Sequence, residues 1–139
     1  MTTNATAAPL LRRAMQADAL VSGLSGLLLT MLPGALSGLM GFSRPGVVLA
    51  VGLGLIGYAL WLLFSARQPI VNLWAGRAAV ALNALWVAGS VVLLVSAPGL
   101  FNTLGQWLVG IVAAVVADFA LVQYLGLRRA AKPAEAVAA

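Results

Sequence analysis

Four long runs of apolar residues alternate with short polar segments along this chain of 139 residues. Each run approaches the roughly 20 residues that a helix needs to cross the hydrocarbon core of a bilayer, and proline interrupts the chain between consecutive runs. The pattern predicts an all-α, polytopic membrane protein with four transmembrane helices in a bundle. We place the spans at about 14–32, 47–64, 73–95 and 107–127.

Three segments fall outside these spans. The sequence GALSGLMGF after the first span is too short to cross a bilayer, and we expect it to lie in the interface or to pack back on the bundle. Residues 1–10 are small and polar and residues 130–139 are rich in Ala. We therefore expect a disordered N-terminal tail and a flexible C-terminal tail around a transmembrane domain of residues 11–129.

The first apolar run has an alternative interpretation as a secretory signal peptide. Arg12 and Arg13 precede it, and Ala35-Leu36-Ser37 before Gly38 imitates a cleavage site of small residues. Asp18 inside the run and the apolar residues after that site favour a true transmembrane helix. In the second span, Ala50 and Gly54 form a small-xxx-small pair, a pattern that lets two helices approach closely.

Composition agrees with a membrane protein and excludes much chemistry. The chain is 63% hydrophobic and only 8% charged, whereas about a quarter of the residues of a soluble domain are charged. It contains no His and no Cys, which rules out disulfides, thiol redox chemistry, zinc fingers, His-ligated haem and His-based acid–base catalysis. We expect no enzymatic activity, no catalytic residues, no metal site and no cofactor.

We interpret the net charge of +5 as the result of cations that set the orientation of the helices in the membrane. The cations sit beside apolar segments, so we assign them to orientation and to anionic lipid headgroups and expect no nucleic-acid partner. Arg44 is the one cation on the face opposite the termini. The other seven share the face of the termini, which predicts that both termini are cytoplasmic: Arg12, Arg13, Arg67, Arg77, Arg128, Arg129 and Lys132.

A few polar side chains lie within the predicted spans, and we expect the inner half of the bundle to gather them into a polar intramembrane cluster. Asp118 lies ten residues before Arg128, or about 15 Å from the inner surface. A charge at that depth costs about 2.5–3.5 kcal/mol on insertion scales, so Asp118 is expected to face the bundle interior. The predicted members of the cluster are Asp18, Arg77, Asn83, Asp118 and Gln123.

The role of this cluster is left open by the sequence. Asp118 can be a structural residue, satisfied by Arg77, Asn83 or a hydroxyl or else protonated, that keeps the helices in register. It can instead be a proton- or ligand-binding carboxylate in a cavity open to the cytoplasm, or a contact to another protein. Arg77 can pair with an acid or can simply help to set the orientation of the chain in the membrane. Asp18 can interact favourably with the positive dipole end of the first helix, or pair with Arg12 or Arg13. Asn83 is typical of a hydrogen bond between helices.

Two resemblances bear on function. In size and span number the chain resembles small four-helix multidrug exporters, but their essential carboxylate lies in the middle of the first span, whereas here Asp18 is near one end and the deeper acid is in the fourth. The order of LRR, SGLSGLLLTMLPGALSGLMGF, GYALWLLFSARQP, LNALWVAGSVVLL and LGLRR resembles small four-span bacterial membrane proteins without an assigned activity. That resemblance implies the fold and a bacterial inner-membrane location, and no activity.

We are left with two hypotheses for function. The first is a non-enzymatic accessory or helix-packing subunit of a larger membrane assembly, with lipids and other subunits or further copies of the chain as partners. The second is a small transporter or binder of a cationic or lipophilic ligand that uses Asp118 with Asn83.

Overall fold

The computed structural model describes residues 8–132, which form five α-helices. They are α1 (Pro9–Met31), α2 (Pro33–Leu39), α3 (Pro45–Arg67), α4 (Leu73–Ser96) and α5 (Thr103–Ala131). All except α2 are long and apolar enough to cross a membrane. The chain is therefore an all-helical, multi-pass membrane protein, as the apolar runs predict.

The sequence at each helix start explains where the helices begin. Proline occupies the first turn of α1, α2 and α3, where its missing N–H is not needed and its fixed φ suits the helix. Asn72 and Asn102 cap α4 and α5, each accepting a backbone N–H of the first turn on its side-chain oxygen. Because of Pro9, α1 includes the end of the predicted N-terminal tail, and α5 likewise continues to Ala131. The rest of both predicted tails, 1–7 and 133–139, lies outside the described residues.

The short helix α2 ends in a turn that depends on Gly41. This glycine has a φ of +67°, in the left-handed region. Its N–H donates to the Gly38 carbonyl, and the N–H of Phe42 donates to the Ser37 carbonyl. These two bonds are those of a Schellman motif, which satisfies the last carbonyls of a helix and reverses the chain.

The long helices pack as two pairs. α1 packs most extensively against α3 and α4 against α5, and the contact of α1 with α5 joins the pairs. The helices α3 and α4 are consecutive in the chain but contact each other very little. As a result α1 is the central helix, and a gap separates much of α3 from α4.

Glycine governs the closest approach between α1 and α3. A Cβ on Gly26 would lie 2.8 Å from the Gly52 carbonyl oxygen, and one on Gly52 would lie 2.6 Å from the Thr30 hydroxyl. The interhelical contact in the second span is thus made by Gly52. The predicted pair Ala50 and Gly54 is exposed and does not take part, because both residues lie on the opposite side of α3 from Gly52.

The two ends of the molecule are held differently. At the end where α1 begins, which we call the arginine end because Arg12, Arg67 and Arg128 lie there, apolar residues of all four long helices form the core, among them Leu11, Met15, Leu62, Ala79 and Leu127. At the other end, Asn102 links α5 to the turn after α2 by donating its backbone N–H to Met40 and its side-chain amide to Leu39.

Candidate functional site

Five polar side chains meet inside the molecule, and every long helix contributes at least one. We call this set the polar cluster: Asp18 and Ser22 from α1, Tyr58 from α3, Asn83 from α4 and Gln123 from α5. Asp18 is 1% exposed and Gln123 is fully buried. The cluster is therefore the place where the two helix pairs are joined by polar contacts.

Asp18 is the acceptor at the centre of the polar cluster. Its Oδ2 accepts hydrogen bonds from Gln123 Nε2 at 2.7 Å, Asn83 Nδ2 at 2.8 Å and the Tyr58 hydroxyl at 2.9 Å. Its Oδ1 accepts the Ser22 hydroxyl, one helical turn later, at 3.0 Å. The Asp18 carboxylate thus has one donor on each long helix: α1 supplies Oδ1, and α3, α4 and α5 supply Oδ2.

The two amides of the cluster also bind each other. Asn83 Nδ2 donates to Gln123 Oε1 at 3.0 Å as well as to Asp18, which uses both of its hydrogens. The Tyr58 hydroxyl lies 3.1 Å from Asn83 Oδ1 and shares its single hydrogen between that oxygen and Asp18. Within residues 8–132, no buried side-chain nitrogen or oxygen lacks a partner.

This arrangement is suited to holding helices together. Donors on four different helices converge on one carboxyl group, so the same acceptor ties all of these helices together. No arginine or lysine among residues 8–132 takes part in the cluster. The described residues also contain no group of three or more His, Cys, Asp or Glu side chains that could hold a metal ion.

Asp118 lies on the outside of the molecule, contrary to the expectation that it faces the interior. It is exposed on α5, and so are Ala114, Val115, Leu121 and Val122, which neighbour it on the helix surface. The geometry of α5 explains this position. Gln123 faces inward, and five residues of α-helix rotate a side chain by about 140° from that direction.

Arg77 is likewise exposed and does not join the polar cluster, so the expected link from Arg77 to an acid is wrong for Asp18 and for Asp118. It precedes Asn83 by six residues, which places it about 9 Å farther along α4 and about 120° away around the helix. Gly76 packs against Leu127, nine residues after Asp118, so Arg77 and Asp118 differ in height by about 13 Å.

The residues predicted to set topology are found at the arginine end, and two of them have further contacts. Arg12 donates to the Ala66 carbonyl at 2.8 Å, in the last turn of α3, where carbonyls lack helical partners. It also donates to the Pro69 carbonyl at 3.1 Å, in the connection that follows. Arg128 lies 5.9 Å from the ring centre of Tyr124. The remaining ones, Arg13, Arg67 and Arg129, are exposed.

A groove of about 760 Å³ lies between α3 and α4 at the arginine end. Its apolar walls include the rings of Trp61, Phe64 and Trp74, and its polar lining comes from Ser65, Gln68 and Asn72. The groove exists because α3 and α4 diverge from their short connection instead of packing together. Asp118, on α5, is not among its lining residues.

The structure thus brings together Asp18, Asn83 and Gln123, and adds two residues that the sequence analysis did not select. Ser22 follows Asp18 by four residues, so the helical period alone places the two side chains side by side. Tyr58 is the one residue with a polar side chain in the middle of the second span. A hydroxyl at such a depth needs a partner, and this requirement is the signal that would have selected it.

Comparison of the chain with protein-family models, curated proteins and solved structures gives no match. The class of protein defined by the fold is a multi-pass helical membrane protein.

Proposed function

We propose that this protein is a non-enzymatic subunit that packs laterally against another helix in a larger membrane assembly. The observation that carries the proposal is the exposure of Asp118 on the outer side of α5. An acid that faces lipid near the middle of a span costs about 2.5–3.5 kcal/mol or more. A partner helix that covers Asp118 and hydrogen-bonds to it removes most of that cost.

The partner is defined by chemistry at the depth of Asp118. It is a transmembrane helix that presents a hydrogen-bond donor there, such as an arginine, a lysine or a carboxamide, because Asp118 is an acceptor when ionised. The chain's own Arg77 is about 13 Å away along the helix axes, so it does not supply this donor. Exposed Ala114 and Ala117 beside Asp118 permit close approach of a partner backbone.

The interior supports a packing role over ligand binding. Each polar atom of the polar cluster is bound to another atom of the same cluster, so no carboxylate or amide is left free for a substrate. The alternative of a transporter that uses Asp118 with Asn83 requires these two side chains to share a cavity. Asn83 is buried in the cluster and Asp118 is exposed on the other side of α5.

We also propose an orientation. The arginine end holds seven of the eight cations, and the positive-inside rule assigns such an end to the cytoplasm. Both termini then face the cytoplasm of a bacterial inner membrane. The turn after α2 and the charge-free connection 97–102 face the opposite side.

Site-specific photocrosslinking in native membranes tests the proposal. A photoreactive residue at position 121 replaces Leu121, which is 56% exposed beside Asp118, and a control probe replaces Leu60, which is 62% exposed on α3. We expect a protein adduct of defined mass from position 121 and not from position 60. Asp118→Leu should abolish the adduct and Asp118→Asn should retain part of it, since an amide still forms hydrogen bonds.

Two results would count against the proposal: an adduct whose yield is the same with Asp, Asn or Leu at position 118, or equal labelling from both probe positions. Two differently tagged copies of the chain, expressed together, show whether the adduct contains a second copy.

A further inference from the structure

The groove between α3 and α4 combines an apolar interior with a strongly cationic surrounding. We propose that it binds an anionic phospholipid, with the headgroup phosphate at the arginine end and the upper part of the acyl chains between the aromatic rings. This site lies on the α3 and α4 side of the molecule, and the proposal does not depend on a protein partner at Asp118.

The shape of the groove fits a lipid. Its volume of about 760 Å³ is formed by the last turns of α3 and the first turns of α4, where two spans meet the membrane surface. Trp74 is 72% exposed and Phe64 is 69% exposed. A tryptophan at this level of a span is an amphipathic anchor that lies beside glycerol and headgroup atoms, and Phe64 adds apolar surface next to it.

Two arginines lie beside this groove. Arg67 follows Phe64 by three residues and Arg77 follows Trp74 by three, so each cation neighbours an aromatic lining residue on its own helix. Both arginines are exposed. Within residues 8–132, neither arginine forms a side-chain hydrogen bond to a residue that lines the groove. Arg12 adds a third cation at the α3–α4 connection, through its bond to Pro69.

No carboxylate of the described residues opposes these cations. Asp18 is enclosed in the polar cluster, and Asp118 lies on α5 about 13 Å from Arg77 along the helix axes. Basic pockets between transmembrane helices on the cytoplasmic side are known to suit anionic headgroups, and each cation near such a surface contributes about 1 kcal/mol.

The apolar walls favour a lipid over a soluble phosphate compound. A free phosphate would contact the arginines and leave the three aromatic rings of the groove without a partner. A phospholipid satisfies both parts of the site, because its chains cover the rings while its phosphate receives donors from Arg67 and Arg77.

Tryptophan fluorescence tests this proposal directly. A Trp86→Phe, Trp107→Phe variant keeps only the two groove tryptophans, Trp61 and Trp74. Reconstituted in nanodiscs, it is quenched by phosphatidylglycerol with brominated chains or, in a parallel series, by equally brominated phosphatidylcholine. We expect half-maximal quenching at a mole fraction of the anionic lipid at least tenfold lower than that of the zwitterionic lipid.

The matched variants remove two cations each. In the same background, Arg67→Gln with Arg77→Gln should lose most of the preference, about fivefold for each arginine, which corresponds to about 1 kcal/mol per cation. Arg129→Gln with Lys132→Gln, two exposed cations at the end of α5, should retain it.

Three results would overturn the proposal. The first is equal quenching by both lipids in the parent protein. The second is equal loss of preference in both double variants, which would assign the effect to the general surface charge. The third is recovery of fluorescence on addition of glycerol 1-phosphate, which would show that the site takes the soluble headgroup alone.

Discussion

Replacement of Gln123 by leucine tests whether the polar cluster holds the two helix pairs together. Leucine is close in size to glutamine and Gln123 is fully buried, so Gln123→Leu removes polar atoms and leaves little extra space. The variant loses the 2.7 Å bond to Asp18 on α1 and the 3.0 Å bond to Asn83 on α4.

The expected decrease in the free energy of unfolding follows from these two bonds. Hydrogen bonds between transmembrane helices average about 0.6 kcal/mol and reach about 1.7 kcal/mol. Because Asp18 is a buried acid that loses one of its donors, each bond should fall in the upper part of that range. We expect the free energy of unfolding to decrease by about 2–3 kcal/mol.

Reversible unfolding in mixed micelles, with the mole fraction of dodecyl sulfate as the denaturing variable, measures this decrease. Gln16→Leu makes the same chemical change at an exposed position of α1 and should alter the free energy of unfolding by less than about 0.5 kcal/mol. In the double variant Asp18→Leu, Gln123→Leu, the decrease should be smaller than the sum of the single decreases, because the second change removes a group that has already lost its partner. If Gln123→Leu behaves like Gln16→Leu, the cluster does not contribute to stability. If the two changes are additive, the bond between Asp18 and Gln123 does not contribute.

Two further changes address the packing of the helices and are measured by the same unfolding method. Gly52→Ala places a Cβ 2.6 Å from a side-chain oxygen of α1 and should lower the free energy of unfolding by about 1–3 kcal/mol. Gly54→Ala meets no atom within 4 Å and should leave it unchanged. Equal effects of the two changes would refute the close approach at Gly52. Asn102→Ala removes the cap of α5, worth about 0.5–2 kcal/mol, and also a bond to the end of α2. It should therefore lower the free energy of unfolding more than Asn72→Ala, which removes a cap alone. A larger decrease for Asn72→Ala would contradict this account.

The four long helices could be predicted from the sequence because apolar length is a local property. The predicted spans lie within the observed helices apart from residue 32. Three of the helices begin earlier than predicted, because Pro9, Pro45 and Asn102 begin them in polar surroundings. Those start signals are also local. Their use would have moved the first predicted helix to its observed start.

The membership of the polar cluster could be predicted only in part. Depth along the spans placed Asp18, Asn83 and Gln123 in the inner half of the bundle, and the structure brings them together. Whether a side chain points into the bundle depends also on its angular position around the helix axis. The helical period sets Asp118 and Gln123 about 140° apart on α5, but the sequence did not indicate which of the two side chains faces the other helices.

The position of Asp18 has a consequence for biosynthesis. During synthesis α1 leaves the ribosome first, and Ser22 is its only cluster partner on the same helix. The partners Tyr58 and Asn83 follow 40 and 65 residues later, and Gln123 follows after 105 residues. A chain that lacks α5 leaves Asp18 without the donor of Gln123, so the carboxyl group has donors from α1, α3 and α4 alone. Completion of the polar cluster thus marks the arrival of the last helix.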